Sequence, residues 1–238
     1  MAKKFAAFDI DGTLIRWQLY HAVVDRMAKH NLLGSDAHAL LHDARMVWKR
    51  REDQEAFREY EITLINTYEK ALLTINPDQF DTIAAQVTEE YGSQTYVYTR
   101  NLIAELKDRG YILFAISGSQ TELVERIATR YEFDDWVGTE YYRKSGKFTG
   151  EKHVASHHKE TILKHLVKKH KVSLPDSLAI GDSGSDISML KMVEKPIAFN
   201  PDKTLYKTAK EQGWKIVVER KNVVYELAPG YTGNYELK

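Results

Sequence analysis

The chain has 238 residues, and its 34 basic side chains are balanced by 34 acidic ones. With no net charge, no global field draws in a nucleic acid or an anionic membrane surface, so an anionic ligand has to be held by a local site. The absence of cysteine excludes disulfides, thiolate catalysis and cysteine-type zinc sites together, and fits a reducing cytoplasm.

Residues 5–8 form a short apolar run, and the stretch 5–10, closed by Asp11-Gly12-Thr13, predicts a buried strand. Lys3 and Lys4 precede it, but Asp9 and Asp11 end the run too soon for a signal core. No stretch approaches the ~18 apolar residues of a membrane span. From Gln18 to Tyr91 apolar residues recur at helical spacing, as in Leu19, Val23, Val24 and Met27, and again in Leu64, Ile65, Tyr68, Leu72 and Leu73. Asn76-Pro77-Asp78 ends one helix and starts the next. The stretch predicts a wholly helical block of about 75 residues.

Beyond Gly92-Ser93 strands and helices alternate. A helix over 96–109 is stopped by Gly110, and a strand over 111–116 ends in Ser117-Gly118-Ser119. A helix follows over 121–131. Aromatic residues around Lys144-Ser145-Gly146-Lys147 predict a hairpin within 136–150. Then come a basic helix over 157–170, a strand over 178–180 ending in Gly181-Asp182-Ser183, and a helix over 187–193. Strands over 196–199, 214–218 and 223–227 close the pattern. Such alternation predicts an α/β fold, a doubly wound parallel sheet with helices on both faces. Chemical groups then gather outside the carboxyl ends of the strands. Three of these ends carry candidates: Asp9 with Asp11, Ser117, and Asp182.

Two carboxylates at i and i+2, as in Asp9-Ile10-Asp11, can share a face of a strand end. They repel unless a cation sits between them, and Mg²⁺ suits such hard oxygens. The alternative is a tight Asp11-Gly12 turn. Ser117-Gly118-Ser119 offers a hydroxyl and backbone N–H groups to an anion, although taken alone Ser117 reads as an N-cap for the next helix. Gly181-Asp182-Ser183-Gly184-Ser185-Asp186 places two acids four residues apart in a tight loop, suited either to a hard cation or to capping the helix behind it. Lys159 can meet a phosphate oxygen as a point charge, but it shares its segment with Lys152, Lys164, Lys168, Lys169 and Lys171, and a solvated face is the ordinary fate of such lysines. His153, His157 and His158 lack an acidic partner and read as surface histidines.

Taken together these segments resemble the haloacid dehalogenase superfamily, in the order its motifs follow: Asp9-Ile10-Asp11-Gly12-Thr13, then Ser117, then Lys159, then Gly181 to Asp186. The stretches Gly146-Lys147-Phe148-Thr149-Gly150 and Pro196-Ile197-Ala198-Phe199-Asn200-Pro201 look most like its phosphoserine phosphatase branch, subfamily IB. The resemblance implies a Rossmann-like catalytic core of residues 1–16 and 93–238, with a helical type 1 cap of residues 17–92 inserted after the first strand. It implies a phosphatase in which Asp9 is the nucleophile and Asp11 the general acid and base. Ser117, Gly118 and Lys159 would hold the phosphoryl oxygens. Mg²⁺ would be held by the Asp9 carboxylate, the Asp11 carbonyl and Asp182, with Asp186 in its outer shell. An aspartate at position 11 favours a phosphomonoester over a carbon–halogen bond.

The implied partner is a small phosphorylated metabolite, phosphoserine or a relative of it, and the implied location is cytoplasmic. Where that branch carries a substrate-reading glutamate this chain has Gln18, and its cap arginine has four candidates: Arg45, Arg50, Arg51 and Arg58. Trp17, Tyr20 and Trp48 can line the cap or pack it against the core. Transfer to an acceptor other than water, as in a phosphotransferase or mutase, and a non-catalytic phosphate-binding regulator are the competing functions.

Overall fold

The computed structural model describes residues 3–50, 53, 55–230 and 234–237; Arg51 falls outside them. The chain opens with Phe5–Phe8 (β1), buried along its length. Four helices follow, Leu19–Lys29 (α1), Ala37–Arg50 (α2), Ala56–Leu72 (α3) and Pro77–Tyr91 (α4), with no strand between them among the described residues. The start of α4 is written in its sequence. The Asn76 side chain accepts from the Asp78 N–H, Gln79 accepts from the Asn76 N–H in return, and Pro77 occupies the first turn, where no N–H is needed.

The alternating part runs through Val97–Asp108 (α5), Ile112–Gln120 (β2), Thr121–Arg130 (α6), Asp135–Lys144 (β3), Lys147–His153 (β4) and Lys159–His170 (α7). It continues through Leu178–Gly181 (β5), Ile187–Leu190 (α8), Lys195–Phe199 (β6), Lys203–Gln212 (α9), Lys215–Arg220 (β7), Val223–Pro229 (β8) and Tyr235–Leu237 (β9). The hairpin β3–β4 turns through Ser145 and Gly146, at φ 51° and 71°, the left-handed pair that a two-residue turn requires.

The nine strands among the described residues form one sheet in the order β4-β3-β2-β1-β5-β6-β7-β8-β9. The six from β3 to β7 are parallel, and β4, β8 and β9 add antiparallel edges. From β1 the chain passes first to β2 on one side and later to β5 on the other. Strand order therefore reverses at β1, where α/β sheets open a crevice at their carboxyl ends. Alternate residues of β1 feed separate cores. Ala6 and Phe8 pack with Leu113, Ala115 and residues of α1, α3 and α4, while Phe5 and Ala7 pack with Phe114, Ile116 and residues of α7 and α9. With both faces covered, the strand reads as an unbroken apolar run.

The structure departs from the sequence expectation in four places. β2 does not stop at Ile116 but runs on to Gln120, with a register shift against β3. The basic helix starts at Lys159, after a separate 3₁₀ turn, Ala155–His157, because His158 stands at φ −131°, outside helical geometry. α8 is one turn, Ile187–Leu190, and does not reach Val193. Finally, α9 and β9 have no counterpart in the predicted pattern. α9 buries only Leu205 and Ala209 and is started by Asp202, whose side chain accepts from the Leu205 N–H at 2.7 Å.

Two titratable side chains inside the helical block oppose each other. His21 is buried among Trp17, Phe57 and Tyr60; burial and the Arg45 guanidinium push its pKa down to about 4. Burial alone pushes Glu61 up to about 7. In the unfolded chain His21 takes up its proton near pH 6.5, so its contribution to stability is complete above that pH and is lost as pH falls toward 4. Glu61 keeps its proton in the fold, so its contribution is complete below the unfolded glutamate value and is lost as pH rises through 7. The pair is expected to flatten the stability profile between pH 4.5 and 6.5. In urea titrations across that window, His21→Phe should make stability fall with rising pH, and Glu61→Gln should make it rise. For His21 alone the span is on the order of 3 kcal/mol. Parallel profiles for both variants and the parent would refute this.

Candidate active site

Asp9 stands one residue past β1, pinned to the neighbouring strand by its own N–H, which donates to the Ile180 carbonyl at 3.0 Å. Its carboxylate accepts from Lys159 Nζ at 2.6 Å, and the same ammonium reaches Asp186 Oδ1 at 2.5 Å. Lys159 is 1% exposed. Its solvated-face reading is thus overturned: of the lysines in its segment, it alone is buried. The first turn of α7 carries it inward because Ile162, Leu163 and Leu166 hold that face of the helix on the core. Asp9 and Asp186 together hold its pKa above the ordinary lysine value despite burial.

Asp186 is shared between two tasks. While Oδ1 meets Lys159, Oδ2 accepts from the N–H groups of Asp182 and Ser183, at 3.1 and 3.0 Å, and from the Ser183 hydroxyl. The acidic loop is therefore both a cap and part of the charged cluster. Gly181 and Gly12 make room for it: a Cβ at Gly181 would overlap the Asp186 carboxylate, and one at Gly12 would overlap that of Asp182. Gly12 also stands at φ +77°. Gly12→Ala is expected to cost about 1–2 kcal/mol from backbone strain alone and to displace Asp182. A chemical melt reads the first effect and the loss of Mg²⁺ affinity the second; a variant equal to the parent in both would refute the close approach.

Asp11 points the other way. One carboxylate oxygen accepts from the Leu19 N–H at the start of α1, at 2.6 Å, and the other from the Ser117 hydroxyl at 2.7 Å. Gln18 makes no side-chain cap for α1, so Asp11, eight residues from Leu19, takes up one of that helix's orphan donors. The reading of Ser117 as a helix cap is overturned as well. The residue ahead of α6 is Gln120, and the Ser117 oxygen accepts from the Ser119 N–H and donates to Asp11. Gly118 lies between them, with Ser156 about as close as a Cβ there would tolerate.

Burial lifts the pKa of Asp9 to about 7, against the pull of Lys159 and with a push from Asp186 and Asp11. Burial also raises Asp11, which Ser117, Leu19 and Ser119 partly offset. Asp182 is raised well above the usual range by burial and then by Asp9 and Asp186. Oxygens of Asp9, Asp182 and Asp186 lie within 4.8 Å of one another. Three carboxyl groups face one ammonium, so ionising all three leaves surplus negative charge for a cation to offset, and the donors are all hard oxygens. That set fits Mg²⁺.

Four segments far apart in sequence thus meet at the carboxyl ends of three adjacent strands, β2, β1 and β5. The chain belongs to the haloacid dehalogenase-like hydrolase family, whose model matches residues 6–191. It is 28% identical over 203 residues to the phosphoserine phosphatase of Methanocaldococcus jannaschii, covering 83% of this chain and 85% of that one. It is 24% identical over 224 residues to the histidinol-phosphatase of Neisseria meningitidis serogroup C, covering 90% and 98%. Among solved structures, a protein of unknown function from Bordetella pertussis Tohama I superposes with a TM-score of 0.72 at 19% identity, over 91% of this chain and 98% of that one. A substrate-bound phosphoserine phosphatase superposes with a TM-score of 0.65 at 21% identity, over 93% and 95%.

His153, His157 and His158 are exposed, and the first and last stack at 5.2 Å. Arg50 and Arg58 are exposed, whereas Arg45 is partly buried beside His21 and Tyr60. Trp48 stacks on Tyr60 and Tyr20 packs edge-on against Tyr68. No helix among the described residues is long and apolar enough to cross a membrane. Sequence reasoning missed Ser119 and Gln120. Ser119 had a signal, since it repeats Ser117 at the two-residue period of a strand. Gln120 had none, because its partner Tyr68 lies 52 residues away.

Proposed function

We propose that the protein is a Mg²⁺-dependent phosphatase of small phosphomonoesters, with residues 1–16 and 93–238 as its catalytic core and residues 17–92 as a cap over the site. The observation that carries this is the split between two aspartates two residues apart: Asp9 bound to a buried lysine, Asp11 to a hydroxyl and a helix N–H. Asp9 attacks phosphorus, the bond to the leaving oxygen breaks, and Asp11 delivers its proton to that oxygen. Its raised pKa suits it to carry that proton near neutral pH. Asp11 then takes a proton from the water that attacks the aspartyl-phosphate, freeing inorganic phosphate and restoring Asp9. Ser117, the Gly118 N–H and Lys159 hold the phosphoryl oxygens. The Asp9 and Asp182 carboxylates and the Asp11 carbonyl would hold Mg²⁺, with Asp186 orienting the loop behind them. When bound, the cation offsets the repulsion between an anionic nucleophile and an anionic ester.

Phosphoserine is the first substrate to try, given the names of the relatives, although the neutral Gln18 offers no carboxylate to a substrate ammonium. The test is phosphate release from p-nitrophenyl phosphate and from a set of phosphorylated metabolites. Turnover should require Mg²⁺, stop with a chelator and return on re-addition. No turnover of any ester in the presence of Mg²⁺ would overturn the reading.

A further inference from the structure

Gln120 ends β2, three residues beyond Ser117, and is wholly buried. Its Oε1 accepts from the Tyr68 hydroxyl, a bond that joins β2 to α3. Its Nε2 is buried and has no partner among the described residues. Turning the amide over would not cure this, since Tyr68 can satisfy only one of the two polar atoms. A second orphan lies close by. The Tyr20 ring is 4.7 Å from that of Tyr68, and its hydroxyl is buried, faces that of Tyr141 and has no partner within 3.5 Å among the described residues. Tyr20 immediately follows Leu19, whose N–H holds Asp11, and Gln120 immediately follows Ser119. Both orphans thus belong to segments that position the acid. Buried polar groups without partners are rare, and in segments that build a site they are candidates to meet a ligand's own groups.

We propose that Gln120 is a specificity-determining residue, donating through its free amide to an uncharged oxygen on the leaving group, with the Tyr20 hydroxyl as a second contact. The inference rests on the phosphatase reading, in which the leaving group departs on the Asp11 side. The substrate class follows from the surroundings. Both orphan groups are neutral and lie among the rings of Tyr20, Tyr68 and Tyr141. The nearby Glu69 is already held by the Tyr141 hydroxyl at 3.0 Å and by Lys152, and it disfavours a substrate carboxylate. The charges that surround Tyr68 are already paired, Glu69 with Lys152 and Glu122 with Arg143, so a charged substituent would lose its hydration here without gaining an unpaired opposite charge, whereas a hydroxyl or carbonyl would satisfy the amide. The favoured leaving group is therefore uncharged and oxygen-bearing, such as a short polyol.

The test compares kcat/KM for glycerol 1-phosphate and n-propyl phosphate, which share a chain length and differ in hydroxyls. The parent enzyme should favour the polyol at least ~10-fold, and should also favour it over phosphoserine. Gln120→Glu keeps the size and the acceptor for Tyr68 and, assayed at a pH above the titration of the buried carboxyl, removes the donor, and should bring the ratio close to one. A role confined to structure would lower both rates and leave the ratio unchanged, which would overturn the proposal. So would a parent that shows no polyol preference or that prefers phosphoserine. If Gln120→Glu does not fold, Tyr20→Phe takes its place: a fall in the same ratio supports the proposal and an unchanged ratio overturns it. A parent enzyme inert toward every ester with Mg²⁺ present would instead strike at the phosphatase reading itself. An active enzyme blind to the hydroxyls would remove this proposal alone.

Discussion

The Asp9→Asn enzyme is expected to release phosphate from an aryl ester at least about 10⁴-fold more slowly than the parent, because a neutral amide is no nucleophile toward phosphorus. The substitution is nearly isosteric and keeps an oxygen toward Lys159, which the carboxylate now meets at 2.6 Å. Its effect on the fold should run in the other direction. Burial lifts the Asp9 pKa to about 7, so above that pH the native state holds a charge it disfavours. Removing this charge from a cluster of three carboxylates should stabilise the metal-free protein by about 1–3 kcal/mol. Thermal melts in chelator and steady-state assays in Mg²⁺ read the two effects separately. Turnover within tenfold of the parent would rule out Asp9 as the nucleophile; a large loss of stability would mean that its charge serves the fold.

Lys159→Met should do the reverse, harming activity and fold together. The ammonium lies between Asp9 Oδ1 at 2.6 Å and Asp186 Oδ1 at 2.5 Å, with almost no access to water. Without it two buried carboxylates lose their counter-charge, a change that costs about 3–5 kcal/mol. Against a typical domain stability of about 5–15 kcal/mol that is a large fraction. Combining it with Asp186→Asn should recover part of the stability, since one stranded charge is then gone, yet none of the turnover. A double-mutant cycle in urea isolates the coupling. A single variant within about 1 kcal/mol of the parent would show that the pair is not held as a buried ion pair.

How far the sequence could be read depended on the range of the interactions. The ends of β1 and β5 were legible because each couples a short apolar run to an acid and a glycine. The α4 boundary was legible because Asn76, Pro77 and Gln79 settle it within one turn. α9 was not, because it offers only Leu205 and Ala209 to the core and the remainder of the helix is polar. Within the site, residue types were legible but partners were not. The Ser117 hydroxyl looks like a cap because the nearest orphan donors in sequence lie just after it; its actual partner, Asp11, lies 106 residues earlier. Lys159 could not be told from its neighbours by composition, since what singles it out is a pair of carboxylates 150 and 27 residues away.

One consequence follows from the bond between the Leu19 N–H and Asp11. The group proposed to move protons is aimed by the first peptide of the helix that leads into residues 17–92, not by the sheet on which it sits. Any displacement of α1 that breaks this bond leaves the carboxylate tethered by Ser117 alone and free to turn. On the proposed function, the proton relay would be assembled only while α1 is seated, so that arming the acid and covering the substrate would be a single event. Water that enters when the block lifts would meet an acid no longer aimed at the phosphorus.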